Sequence, residues 1–339
     1  MSMQIFVTAL EAVLPLVLLI LLGCLLRAKG FLTDDFLSVG SKVVFRLCLP
    51  VMLFVSVYSI ENLSQVRWDL CLYCVGALVL IFLLGIVTAI VTTPVVERRG
   101  VLVQCIFRSN FAIVGMPLAA TLGGEESAAV AAILVAVMAP LFNVLAVLAL
   151  AMFRKDEEGR VNGKEIVWDV VRNPLIIGVA AGLLALLVRQ WQIGQFGAVV
   201  FSLERDLAAV YDALRDLKSM TTPLALIVLG GQFRFSAVRG LFKEILTGTV
   251  WRTVLAPIIG VGGAILLSRW GVLHCGAAEY PALIALFGSP VAVSSAIMAR
   301  EMRNDEQLAT QLLVWTSVVS IVTIFAAVCL MMSVGLIAV

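Results

Sequence analysis

Long apolar stretches alternate with short polar ones along this chain, and the apolar stretches exceed what a soluble core needs. Ten fit as membrane spans, at about 8–26, 37–59, 69–93, 101–122, 127–152, 173–190, 219–235, 245–268, 279–299 and 308–337. Crossing the hydrocarbon layer takes about 20 apolar residues. The pattern therefore predicts an all-α integral membrane protein. Only Gly123-Gly124-Glu125-Glu126 separates the fourth and fifth stretches, which predicts a tight antiparallel pair. Between the sixth and seventh, Leu203, Leu207, Val210, Leu214 and Leu217 recur at helical spacing among charges. That spacing predicts an amphipathic helix lying on the outer surface or extending span seven outwards. The run Val13–Leu26 has no basic region before it, so it reads as a first permanent span rather than a cleavable signal.

The polar loops orient the spans. Lys and Arg concentrate in alternate loops: Arg27 and Lys29, Arg98 and Arg99, Arg154 to Arg172, Arg234 to Lys243, and Arg300 and Arg303. The positive-inside rule places these loops in the cytoplasm and both termini outside, which an even number of spans satisfies. The stretch 153–172 is then a cytoplasmic linker between two halves of five spans, 1–152 and 173–339. Five is odd, so the halves enter the membrane from opposite sides, and any homology between them is an inverted repeat. Matched prolines agree with this. Pro15 and Pro174 each precede a glycine by eight residues, Gly23 and Gly182. Pro50 and Pro117 lie 67 residues apart, as do Pro223 and Pro290.

Composition removes other classes. Hydrophobic residues make up 62% of the chain and charged residues 14%, with a net charge of +2. There is no basic cluster with interleaved aromatics, so no nucleic-acid partner is expected. G-x-S-x-G, H-E-x-x-H and Walker sequences are missing, so the chain does not read as an enzyme. Cys71-x-x-Cys74 has no second cysteine pair and no histidine pair, and reads as buried thiols. No cofactor and no metal site is expected, apart from Na+ or H+ as a coupling ion. His274, the single histidine, falls in an outer loop beside Glu279.

Candidate chemistry lies where spans four and nine are interrupted, at Ser109-Asn110 through Gly115-Met116-Pro117 and at Leu286-Phe287-Gly288-Ser289-Pro290. Paired Pro/Gly-interrupted spans in corresponding halves point to a transporter's binding site. Unwinding near Pro117 and Pro290 exposes peptide groups near the midplane. Half-helix N-termini there favour an anion and C-termini a cation; simple proline kinks are the other reading. Asn110 and Asn143 are amides in apolar surroundings, suited to a ligand or to bonding between helices. Ser289, Ser294 and Ser295 line the second break or back-bond to helix carbonyls. Gln311, Thr316, Ser317 and Ser320 give the last span a polar stripe that serves an ion or packing. Glu11, Asp69 and Arg108 fall near interfaces, where snorkelling accounts for a charge.

The same segments resemble the auxin efflux carrier family, as a bacterial member within the bile-acid/sodium symporter-like superfamily. The residues are Leu47-Cys48-Leu49-Pro50, Ser109-Asn110-Phe111 with Gly115-Met116-Pro117, Gly123-Gly124-Glu125-Glu126, Arg172-Asn173-Pro174, Thr222-Pro223 with Gly230-Gly231, and Ser289-Pro290-Val291. The resemblance implies ten helices in two inverted five-helix repeats, with broken helices 4 and 9 crossing at Pro117 and Pro290. It implies a scaffold unit from spans 1, 2, 6 and 7, often a homodimer, and a mobile transport unit from spans 3–5 and 8–10. It implies a secondary transporter of small organic anions, such as malate, malonate or auxin-like acids, in a bacterial inner membrane, working by elevator-type alternating access. The expected substrate site is Asn110, Gly115, Met116, Pro117, Asn143, Gly288, Ser289, Pro290 and Val291, with Ser294, Ser295, Gln311 and Ser317 as ion-coupling candidates. A sodium-coupled bile-acid-like symporter and a membrane sensor that binds without transporting are the alternatives.

Overall fold

The computed structural model describes residues 2–59, 67–153, 168, 171–233 and 238–337, with only the backbone given for 2–13 and 16. The expected linker 153–172 lies largely outside the described residues, as does the side chain of Glu11. The described chain is helical. Its helices are α1 (Ser2–Ala28), α2 (Asp34–Tyr58), α3 (Trp68–Thr92), α4 (Val96–Phe107), α5 (Phe111–Met152), α6 (Pro174–Phe196), α7 (Ala208–Gln232), α8 (Val238–Arg269), α9 (Glu279–Gly288), α10 (Ser294–Glu301) and α11 (Glu306–Ser333). Six of them, α2, α3, α5, α6, α8 and α11, are long and apolar enough to cross a membrane. The helices α4, α9 and α10 are too short to do so singly, because the fourth and ninth apolar stretches are each cut in two.

Local chemistry explains several of these shapes. α5 turns at Gly123 and Gly124, and Gly124 has φ +64°, a conformation that disfavours any Cβ. The expected tight turn is therefore present. Three π-helical turns end two residues before a proline: Val44–Cys48 before Leu49-Pro50, Phe111–Gly115 before Met116-Pro117, and Trp251–Leu255 before Ala256-Pro257. In each, the residue before proline donates its N–H to the carbonyl five back. Proline cannot bond its own i−4 carbonyl and its ring collides with it, so a widened turn relieves both problems. α6 opens with Asn173 accepting from Leu175 N at 3.0 Å and Pro174 in the first turn, and Gly197 at φ +70° ends it.

The later part of the amphipathic segment, from Ala208, continues span seven as one helix, and Leu203–Asp206 forms a separate short turn before it. α7 runs without interruption from Ala208 to Gln232. Its first turns dock on the end of α2, where Tyr211 packs against Tyr58 and Val55, and Leu203 N, just before α7, donates to the Tyr58 hydroxyl at 2.8 Å.

Two close helix pairs use small residues. Gly23 of α1 meets Gly230 of α7, and a Cβ built at either would stand 3.0 Å from the other's Cα. Gly178 and Gly182 of α6 lie on α2, where a Cβ at Gly182 would stand 2.7 Å from Val57 Cβ. Without a hydrophobic drive between helices in lipid, such close backbone approach supplies the packing energy. The innermost elements are the interrupted ones. Every residue of α4 from Gly100 to Phe107 is buried, as is every residue of α9 from Tyr280 to Gly288. α1 and α3 turn leucines outward, among them Leu18, Leu21, Leu72 and Leu83, as a lipid-facing surface requires.

Candidate functional site

The two interruptions meet. Ser109 and Val291 form an isolated antiparallel bridge, and Asn110 N donates to Pro290 O at 2.8 Å. Extended backbone deep in a helical membrane protein is tolerated because each break supplies the other's hydrogen bonds. Around this junction four helix ends converge. α4 and α9 end there with carbonyls the helices do not use, and α5 and α10 begin there with N–H groups the helices do not use.

The first break falls before the unwinding expected near Pro117, and the second falls at Pro290 as expected. The first lies at Arg108–Asn110, seven or more residues before Pro117. Pro117 follows the π turn Phe111–Gly115 inside α5, and that widened turn takes up its missing N–H. Pro290 lies inside the second break itself, between Ser289 in extended conformation and the start of α10.

Arg108 is the second correction. It is 3% exposed, so it does not snorkel to an interface. Its Nη2 donates to Asn143 Oδ1 and to Ser294 Oγ, both at 2.7 Å, and its Nη1 faces the Met298 sulfur. Among the described residues it has no carboxylate partner. A buried cation held only by neutral groups is costly unless something else compensates it.

A cavity of about 440 Å³ opens beside Arg108. One wall is α2 and α7, with Leu49, Met52, Thr221 and Ala225. The other is the junction, with Arg108, Ser109, Asn110, Met116, Asn143, Val293 and Ser294. Asn110 is 4% exposed, and its Nδ2 has no hydrogen-bond partner among the described residues. The first bond inside α5 runs from Val114 N to Asn110 O, so Phe111, Ala112 and Ile113 bring N–H groups the helix does not use. Guanidinium, amide N–H and a helix N-terminus are all donors, and together they suit an anion. Lys218 and Ser219 of α7 border both this cavity and an outer polar cleft that contains Tyr211, Asp212, Arg215 and Asp216.

The expected site residues divide. Asn110, Met116, Asn143 and Ser294 line the cavity. Gly115 is buried against Ala285 O and Ser289 Oγ, and Pro117 is exposed and does not line the cavity. Ser289 donates to Ala285 O at 2.6 Å, Val291 N donates to Thr316 Oγ1 at 3.2 Å, and Pro290 O takes the Asn110 N–H. Gly288 borders a separate apolar cavity between α8 and α11. Ser295, Gln311 and Ser317 are buried away from the main cavity. Arg108 joins the site although it was expected to snorkel to an interface; an ionisable residue inside an apolar stretch is the signal for a site. Arg252, at 1% exposure within the eighth apolar stretch, carried the same signal.

Comparison with known proteins identifies the family. The family model described as membrane transport protein matches residues 8–327. An uncharacterized transporter of Methanocaldococcus jannaschii is 24% identical over 253 residues, which is 73% of this chain and 76% of that protein. An uncharacterized transporter of Methanothermobacter thermautotrophicus is 22% identical over 330 residues, 95% of this chain and 98% of that protein. A multi-pass apolar fold whose interrupted helices meet beside a donor-lined cavity is matched along nearly its whole length: the chain belongs to the membrane transport protein family, that of the auxin efflux carriers.

Proposed function

We propose that this protein is a secondary transporter of small organic anions, with a carboxylate binding between Arg108, Asn110 and the N-terminus of α5. The observation that carries this reading is Arg108, a buried guanidinium at the edge of a cavity with no carboxylate of its own. An anionic guest supplies the missing counter-charge, and hydrogen bonds to a charged group contribute roughly 1.5–3 kcal/mol each. Asn143 and Ser294 hold the guanidinium in place.

Ten spans in an inverted repeat are part of the proposal. Packing supports it: α1 rests on α7 through Gly23, and α6 rests on α2 through Gly182, as exchange of the two halves requires. Counting α4 with the first arm of α5, and α9 with α10, as single broken spans gives the ten. An elevator motion fits the ion pairs. Arg67 with Glu279 at one end, and Arg98 with Glu244 and Asp305 at the other, join α3, α4, α8, α9 and the start of α11 to one another. Those elements belong to one unit, and the cavity separates it from α2 and α7. We extend the proposal to a homodimer through the unit of α1, α2, α6 and α7, in a bacterial inner membrane with both termini outside.

The test is uptake of labelled malate and malonate into proteoliposomes, comparing wild type with Arg108→Gln and Asn110→Ala. Wild type is expected to accumulate label and both variants to lose most of it. Wild-type flux in both variants refutes the site. Binding without flux in wild type refutes transport and favours a sensor.

A further inference from the structure

Arg252 sits in the π turn of α8 and reaches into the junction without lining the cavity. Its Nη1 donates to Phe107 O at 2.9 Å and to Ile106 O at 3.3 Å, and its Nη2 donates to Phe287 O. Those carbonyls are the last ones of α4 and α9. A helix C-terminus carries roughly half an elementary negative charge. Two such ends, entering from opposite sides of the protein, bring about one unit of negative charge to one buried place. One guanidinium balances it. Among the described residues Arg252 has no carboxylate partner, so the carbonyl ends are its counter-charge. Among the described residues one side chain does this for both halves, and it comes from the second.

We propose that Arg252 is the resident cation of the crossing: it fills, as part of the chain, the place where an alkali cation would neutralise two converging helix C-termini. The carrier then needs neither sodium nor potassium at that place, and the anion it binds is not coupled to one there. Removing the guanidinium leaves a pocket walled by Ile106 O, Phe107 O and Phe287 O, whose chemistry suits a free guanidinium ion or a small alkali cation. This rests on the reading of the junction as the transport centre, yet the cation requirement is measurable without any transport.

The test follows unfolding temperature and malate uptake of the full-length protein in sodium, potassium and choline chloride at matched ionic strength. Wild type is expected to unfold at the same temperature in all three, with uptake changing less than about twofold; the twofold margin corresponds to under about 0.5 kcal/mol. Arg252→Gln keeps a donor but no charge, and is expected to lose more than about 5 °C, as breaking a buried charged contact does. Arg252→Lys keeps the charge and is expected to recover part of that loss. Added guanidinium chloride at low concentration, or sodium, is expected to raise the unfolding temperature of Arg252→Gln and not that of wild type. Saturable stabilisation of wild type by sodium overturns the proposal, and so does a glutamine variant as stable as the lysine one. If both variants fail to fold, the wild-type salt comparison alone decides. If malate is not carried, the unfolding measurements still stand, so failure of the substrate reading and failure of this one are distinguishable.

Discussion

The first break and the second occupy matching places in the chain but do different work. The first is open to the cavity. It carries a guanidinium at Arg108, an unsatisfied amide at Asn110 and a helix start with unused N–H groups. The second is closed at its centre. Ser289, Pro290 and Val291 spend their polar groups on Ala285, Asn110 and Thr316, and only Ala292 to Ser294 reach the cavity. The difference teaches that pseudo-symmetric segments can split a task, one shaping the ligand site and the other holding the crossing together.

Removing Arg108 breaks this division most severely. Arg108→Gln is expected to lower initial uptake at least about 100-fold, since one or two hydrogen bonds to a buried charge are worth roughly 1.5–3 kcal/mol each. A loss no larger than that of a second-break variant would show that the breaks share the ligand equally.

The two glycines sharpen the contrast in packing. A Cβ at Gly115 would meet Ala285 O at 2.8 Å and Ser289 Oγ at 3.1 Å, whereas at Gly288 the nearest neighbour is Ile324 at 3.6 Å. Gly115→Ala should therefore push the crossing apart and cost about 1–3 kcal/mol, while Gly288→Ala should cost under about 1 kcal/mol. Denaturant unfolding in detergent checks the order, and equal costs would contradict it.

The serines give the smallest effect. Ser294→Ala removes a partner of Arg108 and is expected to weaken substrate binding roughly fivefold, about 1 kcal/mol. Ser289→Ala removes only a bond to the preceding turn, so uptake should be unchanged while stability falls by up to about 1 kcal/mol. Calorimetric titration separates the two; weaker binding in Ser289→Ala would place that hydroxyl at the ligand.

Equal proline spacing in the two halves does not mean equal local structure. Pro50 and Pro117 each follow a π turn and open a helix segment. Pro223 lies within α7, and Pro290 lies in an extended segment. Proline removes a donor and fixes one dihedral, and the surrounding helices decide how the chain absorbs that.

Hydropathy by itself determined the membrane environment and, with the Pro and Gly positions, the turn at Gly123-Gly124 and the two interrupted segments, because lipid imposes one rule on every residue of a span; for the segment before span seven it left a surface helix and an extension of the span both open. It also marked Asn110 and Asn143, whose amides cannot face lipid at no cost. The meeting of Ser109 with Val291, the turn of Arg108 towards Asn143 and Ser294, and the grip of Arg252 on two helix ends arise between segments from about 35 to about 180 residues apart. No periodicity along the chain encodes such contacts, since they depend on how helices cross. A buried arginine and an interfacial one look alike in sequence, and only the tertiary packing around the crossing distinguishes them.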